Sequence, residues 1–171
     1  MIISLAGFMG CGKSSTGRAL AARLTARFVD LDEAIAARAG RTIPEIFRDG
    51  EAAFRAVELE TLRAEIDAAE AAQGDTVLAL GGGALSLPEA RALIFSRTRC
   101  VWLRTRLETI RQRLGASDAS RPLFADADAL FASRLPLYAQ APFAVDTATL
   151  TPEAVAAAIV SRLALVGKVN F

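Results

Sequence analysis

The chain has 171 residues, of which 53% are hydrophobic and 23% are charged, a composition typical of one globular domain. Twenty Lys and Arg residues against 19 Asp and Glu residues leave a net charge of +1, which does not favour nucleic-acid binding. The chain has no histidine, and this excludes His-dependent metal sites and Ser-His-Asp or Cys-His catalysis. It also has no apolar stretch of the roughly 20 residues needed to span a membrane and no secretion signal, so we expect a cytoplasmic protein.

Short apolar runs alternate with longer segments of helical periodicity along the chain. The apolar runs predict strands at 2–6, 27–30, 76–80, 100–104 and 143–145. The periodic segments predict helices at 13–24, 32–39, 51–72, 88–95, 107–114, 126–138 and 152–165. Such alternation favours an α/β fold with a parallel sheet. Because no repeat or linker interrupts the pattern, residues 1–171 are predicted to form a single domain.

The residues that directly follow the first three predicted strands are the most informative, because ligands bind at the carboxyl ends of the strands in such sheets. These residues are the segment 7–14, the pair Asp30 and Asp32, and the triple glycine 81–83. Glycines and carboxylates are therefore expected to collect at one edge of the sheet.

Residues 7–14 read Gly-Phe-Met-Gly-Cys-Gly-Lys-Ser and fit the phosphate-binding pattern G-x-x-x-x-G-K-[ST] between a strand and a helix. The glycines let backbone N–H groups surround phosphate oxygens, and the helix that follows presents its positive end. Lys13 is expected to reach the β and γ phosphates, and the Ser14 hydroxyl is expected to bind Mg²⁺. A glycine-rich turn with a surface lysine is the plain alternative. The sequence predicts that a nucleoside triphosphate is held by Gly10, Cys11, Gly12, Lys13, Ser14 and Ser15.

The two cysteines, Cys11 and Cys100, stand in unrelated sequence contexts. We expect two reduced thiols rather than a disulfide or a metal-binding pair. Cys11 lies inside the phosphate-binding pattern, where Lys13 and the helix terminus favour a reactive thiolate. The alternative, which we favour, is a small side chain that fits the loop.

Asp30 and Asp32 end the second predicted strand, and side chains two residues apart in extended backbone point to the same side. Asp30 is interpreted as part of the Mg²⁺ shell, and Asp32 as the group that positions or deprotonates the attacking hydroxyl. The alternative is that Asp32 caps the following helix. The sequence favours neither interpretation of Asp32 over the other.

Within the predicted helix 51–72, Glu51, Phe54, Arg55 and Glu58 have the spacing i, i+3, i+4 and i+7 and share one face. A solvated face with ion pairs is the usual explanation for such a stripe. The other interpretation is that Arg55 receives a substrate carboxylate, Glu58 orients the guanidinium and Phe54 packs against the apolar side of the ligand.

Two further segments are candidates for ligand contact. The triple glycine 81–83 is longer than a tight turn requires, and it predicts that a ligand approaches the backbone closely. The polar segment 115–124 is interpreted either as a plain surface loop or as a mobile flap that carries Arg121 to the charge developing during phosphoryl transfer.

Together these motifs resemble those of the shikimate kinases, small P-loop enzymes that phosphorylate the 3-hydroxyl of shikimate with ATP. The resemblance covers nearly the whole chain and rests on the segments 7–14, 30–32, 50–58, 81–83, 121–123 and 134–138. It implies a three-layer P-loop NTPase fold with a five-stranded parallel sheet flanked by helices, a substrate-binding region at about 32–62 and a mobile lid at about 115–125. It further implies MgATP and shikimate as substrates in chorismate biosynthesis, a monomer, and no membrane or nucleic-acid partner.

The resemblance also implies roles for individual residues. Catalysis would depend on Lys13, Asp32 and Arg121, and Arg113 would lie against adenine. Asp30 would reach Mg²⁺ through water. The residues that would hold shikimate or line its pocket are Asp32, Arg55, Gly82, Arg134, Gly81, Gly83, Phe47, Phe54, Glu58, Pro122 and Leu123.

Two positions depart from the family pattern. The segment 146–152 aligns with the loop that touches adenine but contains no arginine, and strand 76–80 lacks a Walker B aspartate, which leaves Asp30 as the nearest candidate for that role. The alternative functions are a gluconate or nucleoside-monophosphate kinase on the same scaffold, and a P-loop regulatory switch without a small acceptor. The two arginines Arg55 and Arg134 favour an acceptor that carries a carboxylate.

Overall fold

The computed structural model describes residues 1–114 and 127–167. In chain order these residues form β1 (Ile2–Ala6), α1 (Lys13–Leu24), β2 (Arg27–Asp30), α2 (Leu31–Ala39), α3 (Ile43–Phe47), α4 (Glu51–Ala71), β3 (Thr76–Ala79), a 3₁₀ turn (Ala84–Ser86), α5 (Pro88–Arg97), β4 (Arg99–Arg104), α6 (Leu107–Leu114), α7 (Ala127–Tyr138), β5 (Phe143–Asp146) and α8 (Pro152–Gly167). The predicted flap and its residues Arg121, Pro122 and Leu123 lie outside the described residues.

The five strands form one parallel sheet in the order β2-β3-β1-β4-β5. In its centre, Ile3 of β1 is in register with Val77 of β3 and Arg99 of β4. Every residue of β1 is buried, because helices cover both faces of a parallel sheet of this kind. The predicted α/β fold with a five-stranded parallel sheet is confirmed, and the carboxyl ends of its strands lie at one edge.

Helix α3 was not predicted, although the sequence carries its start signal. Thr42 and Glu45 form a capping box, in which both the backbone N–H and the hydroxyl of Thr42 donate to the Glu45 carboxylate at 2.8 Å. Pro44 lies in the first turn, where its missing N–H costs no hydrogen bond. The helix is only five residues long, so it has too little hydrophobic periodicity to be recognised.

Both cysteines are free and buried, as predicted. Burial raises the pKa of the Cys100 thiol to about 11, and a hydrogen bond with Ser4 opposes part of that increase. Cys100 is therefore a neutral thiol of the core at ordinary pH. Over the part of the chain that the structure describes, no helix is long and apolar enough to cross a membrane.

Candidate active site

The loop between β1 and α1 is built on glycines with positive φ. The φ angles of Gly7, Gly10 and Gly12 are 145°, 75° and 97°. A Cβ atom on Gly7 would lie 2.8 Å from the Cys11 Sγ atom and 2.9 Å from the carbonyl oxygen of Leu103, at the end of β4. Glycine is therefore required at position 7 both by backbone conformation and by space. Cys11 itself is buried against this glycine, which agrees with its interpretation as a side chain that fits the loop.

Lys13, the first residue of α1, folds back over this loop. Its Nζ atom donates hydrogen bonds to the carbonyl oxygens of Gly7 at 2.9 Å and Phe8 at 3.0 Å. The ammonium group thus lies at the mouth of the loop, beside the N-terminus of α1, where the helix dipole favours negative charge. The Lys13 ammonium group is therefore already in position to bind phosphate oxygens that enter the loop.

Ser14 and Asp30 join the start of α1 to the end of β2. The Ser14 hydroxyl donates to Asp30 Oδ2 at 2.5 Å, and Asp30 Oδ1 accepts the backbone N–H of Asp32 at 3.1 Å. Hydroxyl and carboxylate oxygens are ligands that Mg²⁺ prefers, and the ion is commonly held by one or two carboxylates together with substrate phosphates. No cluster of three or more acidic or cysteine ligands occurs in residues 1–114 and 127–167. This pair therefore fits a Mg²⁺ ion that is also bound to nucleotide phosphates.

Two expectations about Asp32 are wrong. Strand β2 ends at Asp30, and Asp32 lies in the first turn of α2, so the two carboxylates are not a pair on extended backbone. The N-cap of α2 is Asp30, so the interpretation of Asp32 as the cap is also wrong. The Asp32 carboxylate instead faces the triple glycine, since a Cβ atom on Gly81 would lie 3.0 Å from its Oδ1 atom.

Arg55 and Glu58 form a buried ion pair on α4. The Arg55 guanidinium donates to Glu58 Oε2 at 2.6 Å and to Glu51 Oε1 at 3.2 Å. The Arg55 side chain is 14% exposed and that of Glu58 only 2%, so the interpretation of this stripe as a solvated face is wrong. A Cβ atom on Gly83 would lie 2.5 Å from the Arg55 Nη2 atom, which explains why the turn has glycine there.

Burial and neighbouring charges raise the pKa of both members of this pair. Burial raises the pKa of Glu58, the Arg55 guanidinium opposes the increase, and the nearby Asp32 carboxylate adds to it. Burial would lower the pKa of Arg55, but the carboxylates of Glu58 and Glu51 outweigh that effect and raise it. Arg55 is therefore a permanent cation whose position Glu58 holds.

The raised pKa of Glu58 makes its contribution to stability depend on pH. In the unfolded chain this carboxyl titrates near 4.5, and in the folded protein it titrates at a higher pH. Its contribution to the free energy of unfolding is thus largest below pH 4.5 and falls as the pH rises through the folded-state pKa. We expect the difference in unfolding free energy between the unmodified protein and Glu58→Gln to decrease over this range. Denaturant titrations at a series of pH values measure it, and an increase with pH would contradict the assignment.

An aromatic wall stands beside Arg55. The rings of Phe47 and Phe54 stack with centroids 4.3 Å apart and planes at 21°, and the Arg55 guanidinium lies 5.3 Å from the Phe54 ring centroid. Helix α3 brings Phe47 to this position, and Phe54 is buried on α4. A guanidinium next to apolar ring faces suits a ligand with a carboxylate on a small carbon ring.

The second predicted arginine, Arg134, approaches the triple glycine from α7. It is buried, its guanidinium lies 5.9 Å from the Phe8 ring centroid, and a Cβ atom on Gly82 would lie 3.6 Å from its Nη1 atom. The same Cβ would lie 3.4 Å from the backbone nitrogen of Met9 in the phosphate loop. A side chain at position 82 would therefore contact both the phosphate loop and Arg134, which lie on the same side of the turn.

Sequence reasoning missed Tyr138. Its hydroxyl donates to the carbonyl oxygen of Gly82 at 2.6 Å, and its ring is buried. The segment 134–138 is one of the motifs that carry the family resemblance, but the resemblance implies a role for Arg134 and none for Tyr138. The available signal was the spacing, since Arg134 and Tyr138 are four residues apart and share a helix face.

Arg113 lies on the far side of the phosphate loop. It donates to the carbonyl oxygens of Cys11 at 3.3 Å and Thr147 at 2.6 Å, and so joins the loop to the segment after β5. A cleft of about 210 Å³ opens there, lined by Cys11, Gly12, Ser15, Thr16, Arg113, Thr147, Leu150, Pro152 and Val155. This cleft adjoins the phosphate loop on the side away from the triple glycine, where a nucleotide base would extend.

The chain is similar to shikimate kinases in sequence. A sequence profile of the shikimate kinase family matches residues 9–164. A shikimate kinase from Synechococcus sp. (strain CC9605) is 42% identical over 93% of this chain and 80% of the relative. Another, from Mycobacterium avium (strain 104), is 42% identical over 93% of this chain and 91% of the relative.

Solved structures give the same relationship. The shikimate kinase from Acinetobacter baumannii in complex with shikimate matches with a TM-score of 0.87 and 34% identity, over 98% of this chain and 94% of that chain. A gluconokinase from Sinorhizobium meliloti 1021 matches with a TM-score of 0.58 and 18% identity, over 94% and 91% of the two chains. The second likeness concerns the fold alone.

Proposed function

Because this chain belongs to the shikimate kinase family and is an ATP-dependent kinase that forms shikimate 3-phosphate, we propose that it binds shikimate beside its triple glycine. One observation carries the proposal. Two arginines from different helices, Arg55 and Arg134, converge on this turn, and the turn itself touches the phosphate loop. An acceptor held by its carboxylate there would present a hydroxyl to the terminal phosphate of a bound nucleotide.

On the acceptor side, Arg55 and Arg134 bind the shikimate carboxylate, and charge-assisted hydrogen bonds of this kind are short and strong. The stacked rings of Phe47 and Phe54 support the carbon ring. Glycines at positions 81–83 leave room for the substrate and for the side chains around it. Asp32 accepts hydrogen bonds from the substrate hydroxyls.

On the donor side, backbone N–H groups of the loop and the N-terminus of α1 hold the ATP phosphates, and Lys13 lies over them. Ser14 and Asp30 would hold Mg²⁺, which when bound neutralises charge on the β and γ phosphates. Arg113 and the cleft beside it would receive adenine.

The chemistry assigned to these residues is positioning, proton removal and charge stabilisation. Asp32 takes the proton of the 3-hydroxyl as that oxygen attacks the γ phosphorus, and the bond to the leaving ADP oxygen breaks on the opposite side. Lys13 stabilises the negative charge that develops on the transferred group. The contribution of Arg121, and that of Pro122 and Leu123 to the pocket, stays a prediction from the sequence.

The sequence also predicts a monomer, a cytoplasmic location and no nucleic-acid partner, and these remain predictions. The nearly balanced charge of +1 supports the last of them. A nucleoside monophosphate as acceptor would give the paired arginines and their aromatic wall no ring carboxylate to bind, which supports shikimate over this alternative from the sequence.

The test is ADP release from MgATP with and without shikimate, with the product analysed by mass spectrometry. We expect release to depend strongly on shikimate and the product to gain one phosphoryl group at the 3-hydroxyl. Gluconate and a set of nucleoside monophosphates serve as control acceptors of the same scaffold class. ADP release that is stimulated by a control acceptor and not by shikimate would refute the proposal.

A further inference from the structure

The unassigned residue closest to the acceptor site is Tyr138, the last residue of α7. Its ring is buried and stacks with the ring of Trp102 on β4, with centroids 6.3 Å apart and planes at 26°. Its hydroxyl donates to the carbonyl oxygen of Gly82 at 2.6 Å. The stack fixes the ring, and the ring in turn fixes where the hydroxyl stands.

The surroundings of this hydroxyl keep it a donor. Burial raises the pKa of Tyr138, and Arg134 opposes part of the increase through its charge and a side-chain hydrogen bond. Because the pKa is raised from an already high value, the hydroxyl keeps its proton throughout the working range of an enzyme. The neutral hydroxyl can therefore donate its proton to the Gly82 carbonyl.

From this arrangement we infer that Tyr138 is a positioning residue for the acceptor: its hydroxyl anchors the middle glycine of the triple-glycine turn to α7, the helix that places the guanidinium of Arg134 beside the same glycine. The inference rests on the proposed function, in which Gly82 and Arg134 contact shikimate. Arg134 lies one helical turn before Tyr138 on α7, so the hydrogen bond from Tyr138 to Gly82 fixes where this helix, and Arg134 with it, lies relative to the triple-glycine turn.

Loss of the hydroxyl would act on the acceptor side only. The Gly82 carbonyl would lose its hydrogen-bond partner, and the triple-glycine turn would no longer be held to α7 and Arg134 by this bond. Shikimate binding would then have to order both parts, which weakens affinity. Lys13 bonds to the carbonyl oxygens of Gly7 and Phe8, and Ser14 bonds to Asp30, so we expect nucleotide binding to change little.

The variant Tyr138→Phe tests this, because it keeps the ring and its stack on Trp102. We expect the KM for shikimate, and its Kd measured by calorimetry without nucleotide, to rise about ten-fold. We expect the KM for MgATP and kcat to stay within about two-fold of the unmodified protein. The emission of Trp102, the single tryptophan, checks that the variant is folded.

Thr98→Val is the matched control, since it also removes a hydroxyl with internal hydrogen bonds. The Thr98 hydroxyl bonds to Ser4 and to the carbonyl oxygen of Ile94, at the opposite edge of the sheet. We expect this variant to be less stable and to have an unchanged KM for shikimate. If instability alone raised KM, both variants would show the increase, and this would overturn the inference.

Three further outcomes are decisive in different ways. A Tyr138→Phe variant whose Kd and KM for shikimate are unchanged, measured beside a shikimate-dependent unmodified protein, overturns the inference alone. ADP release by the unmodified protein that shikimate does not stimulate overturns the proposed function and the inference with it. A rise of both KM values together in Tyr138→Phe would show a general structural role and would also overturn the inference.

Discussion

Replacing Asp32 by asparagine is expected to lower kcat with shikimate by about 10²–10⁴-fold, the usual contribution of a general base. The carboxylate faces the triple glycine at the edge where the acceptor hydroxyl is proposed to lie. The amide of asparagine has nearly the same shape but cannot take the proton. Because Asp30 rather than Asp32 caps α2, the start of the helix should survive the change. Steady-state kinetics with saturating MgATP measure the effect, and thermal unfolding checks the fold.

Glu33→Gln is the control for Asp32→Asn. Glu33 is the next residue of α2, is exposed, and pairs with Arg18 at 3.1 Å, so its replacement removes one negative charge from the same helical turn. We expect kcat in this variant to stay within about three-fold of the unmodified protein. A kcat for Asp32→Asn in that same range would rule out Asp32 as the base.

Replacing Arg55 by alanine is expected to lower kcat/KM for shikimate by about 100-fold, which corresponds to losing charge-assisted hydrogen bonds to a carboxylate. The KM for MgATP should change little, because the proposed nucleotide-binding residues do not bond to Arg55. Lys13 bonds to the phosphate loop, and Ser14 bonds to Asp30, whereas Arg55 bonds to Glu58. Stability should fall as well, since Glu58 would stay buried without its cation. The pKa of Glu58 would rise further in this variant, because in the unmodified protein the Arg55 guanidinium lowers it.

Arg55→Lys separates binding from stability. Lysine keeps the positive charge beside Glu58 but lacks the planar fork that binds a carboxylate with two hydrogen bonds. We expect it to restore most of the stability while kcat/KM for shikimate stays about ten-fold low. Arg38→Ala provides the surface control. Arg38 is an exposed arginine on α2, and it pairs with Glu60 of α4, the helix that carries Arg55. Unchanged kcat/KM in Arg55→Ala, or an equal loss in Arg38→Ala, would exclude Arg55 from the acceptor site.

The phosphate loop was predictable because its chemistry is local. Its function depends on a contiguous run of residues, in which glycines adopt positive φ and a lysine begins a helix, and the pattern states those requirements directly. The fold class was predictable for a similar reason, since alternating apolar runs and periodic segments leave few ways to build a sheet. Most of the strand and helix ends agree with the prediction, and the others differ from it by one or two residues.

The acceptor side was predictable mainly through resemblance, because its parts are distant in the chain. The stripe of α4 permitted a solvated face, and packing against distant residues, the triple glycine among them, buries Arg55 and Glu58. Likewise, Asp30 and Asp32 are both acceptable caps in the sequence, and the choice depends on where β2 ends. The hydrogen bonds at the start of α2 depend on the backbone geometry where β2 leaves the sheet. A local sequence pattern does not contain that geometry.

The sequence by itself therefore determined that this chain binds a nucleotide on a parallel α/β sheet, because both properties are encoded in short, regular patterns. Tertiary structure alone decided which carboxylate caps and which faces the acceptor, that Phe47 reaches Phe54 through a short helix, and that Tyr138 bonds to Gly82. These contacts join residues as far as 56 positions apart. Their partners are set by how the sheet and its helices pack, and no local spacing records that.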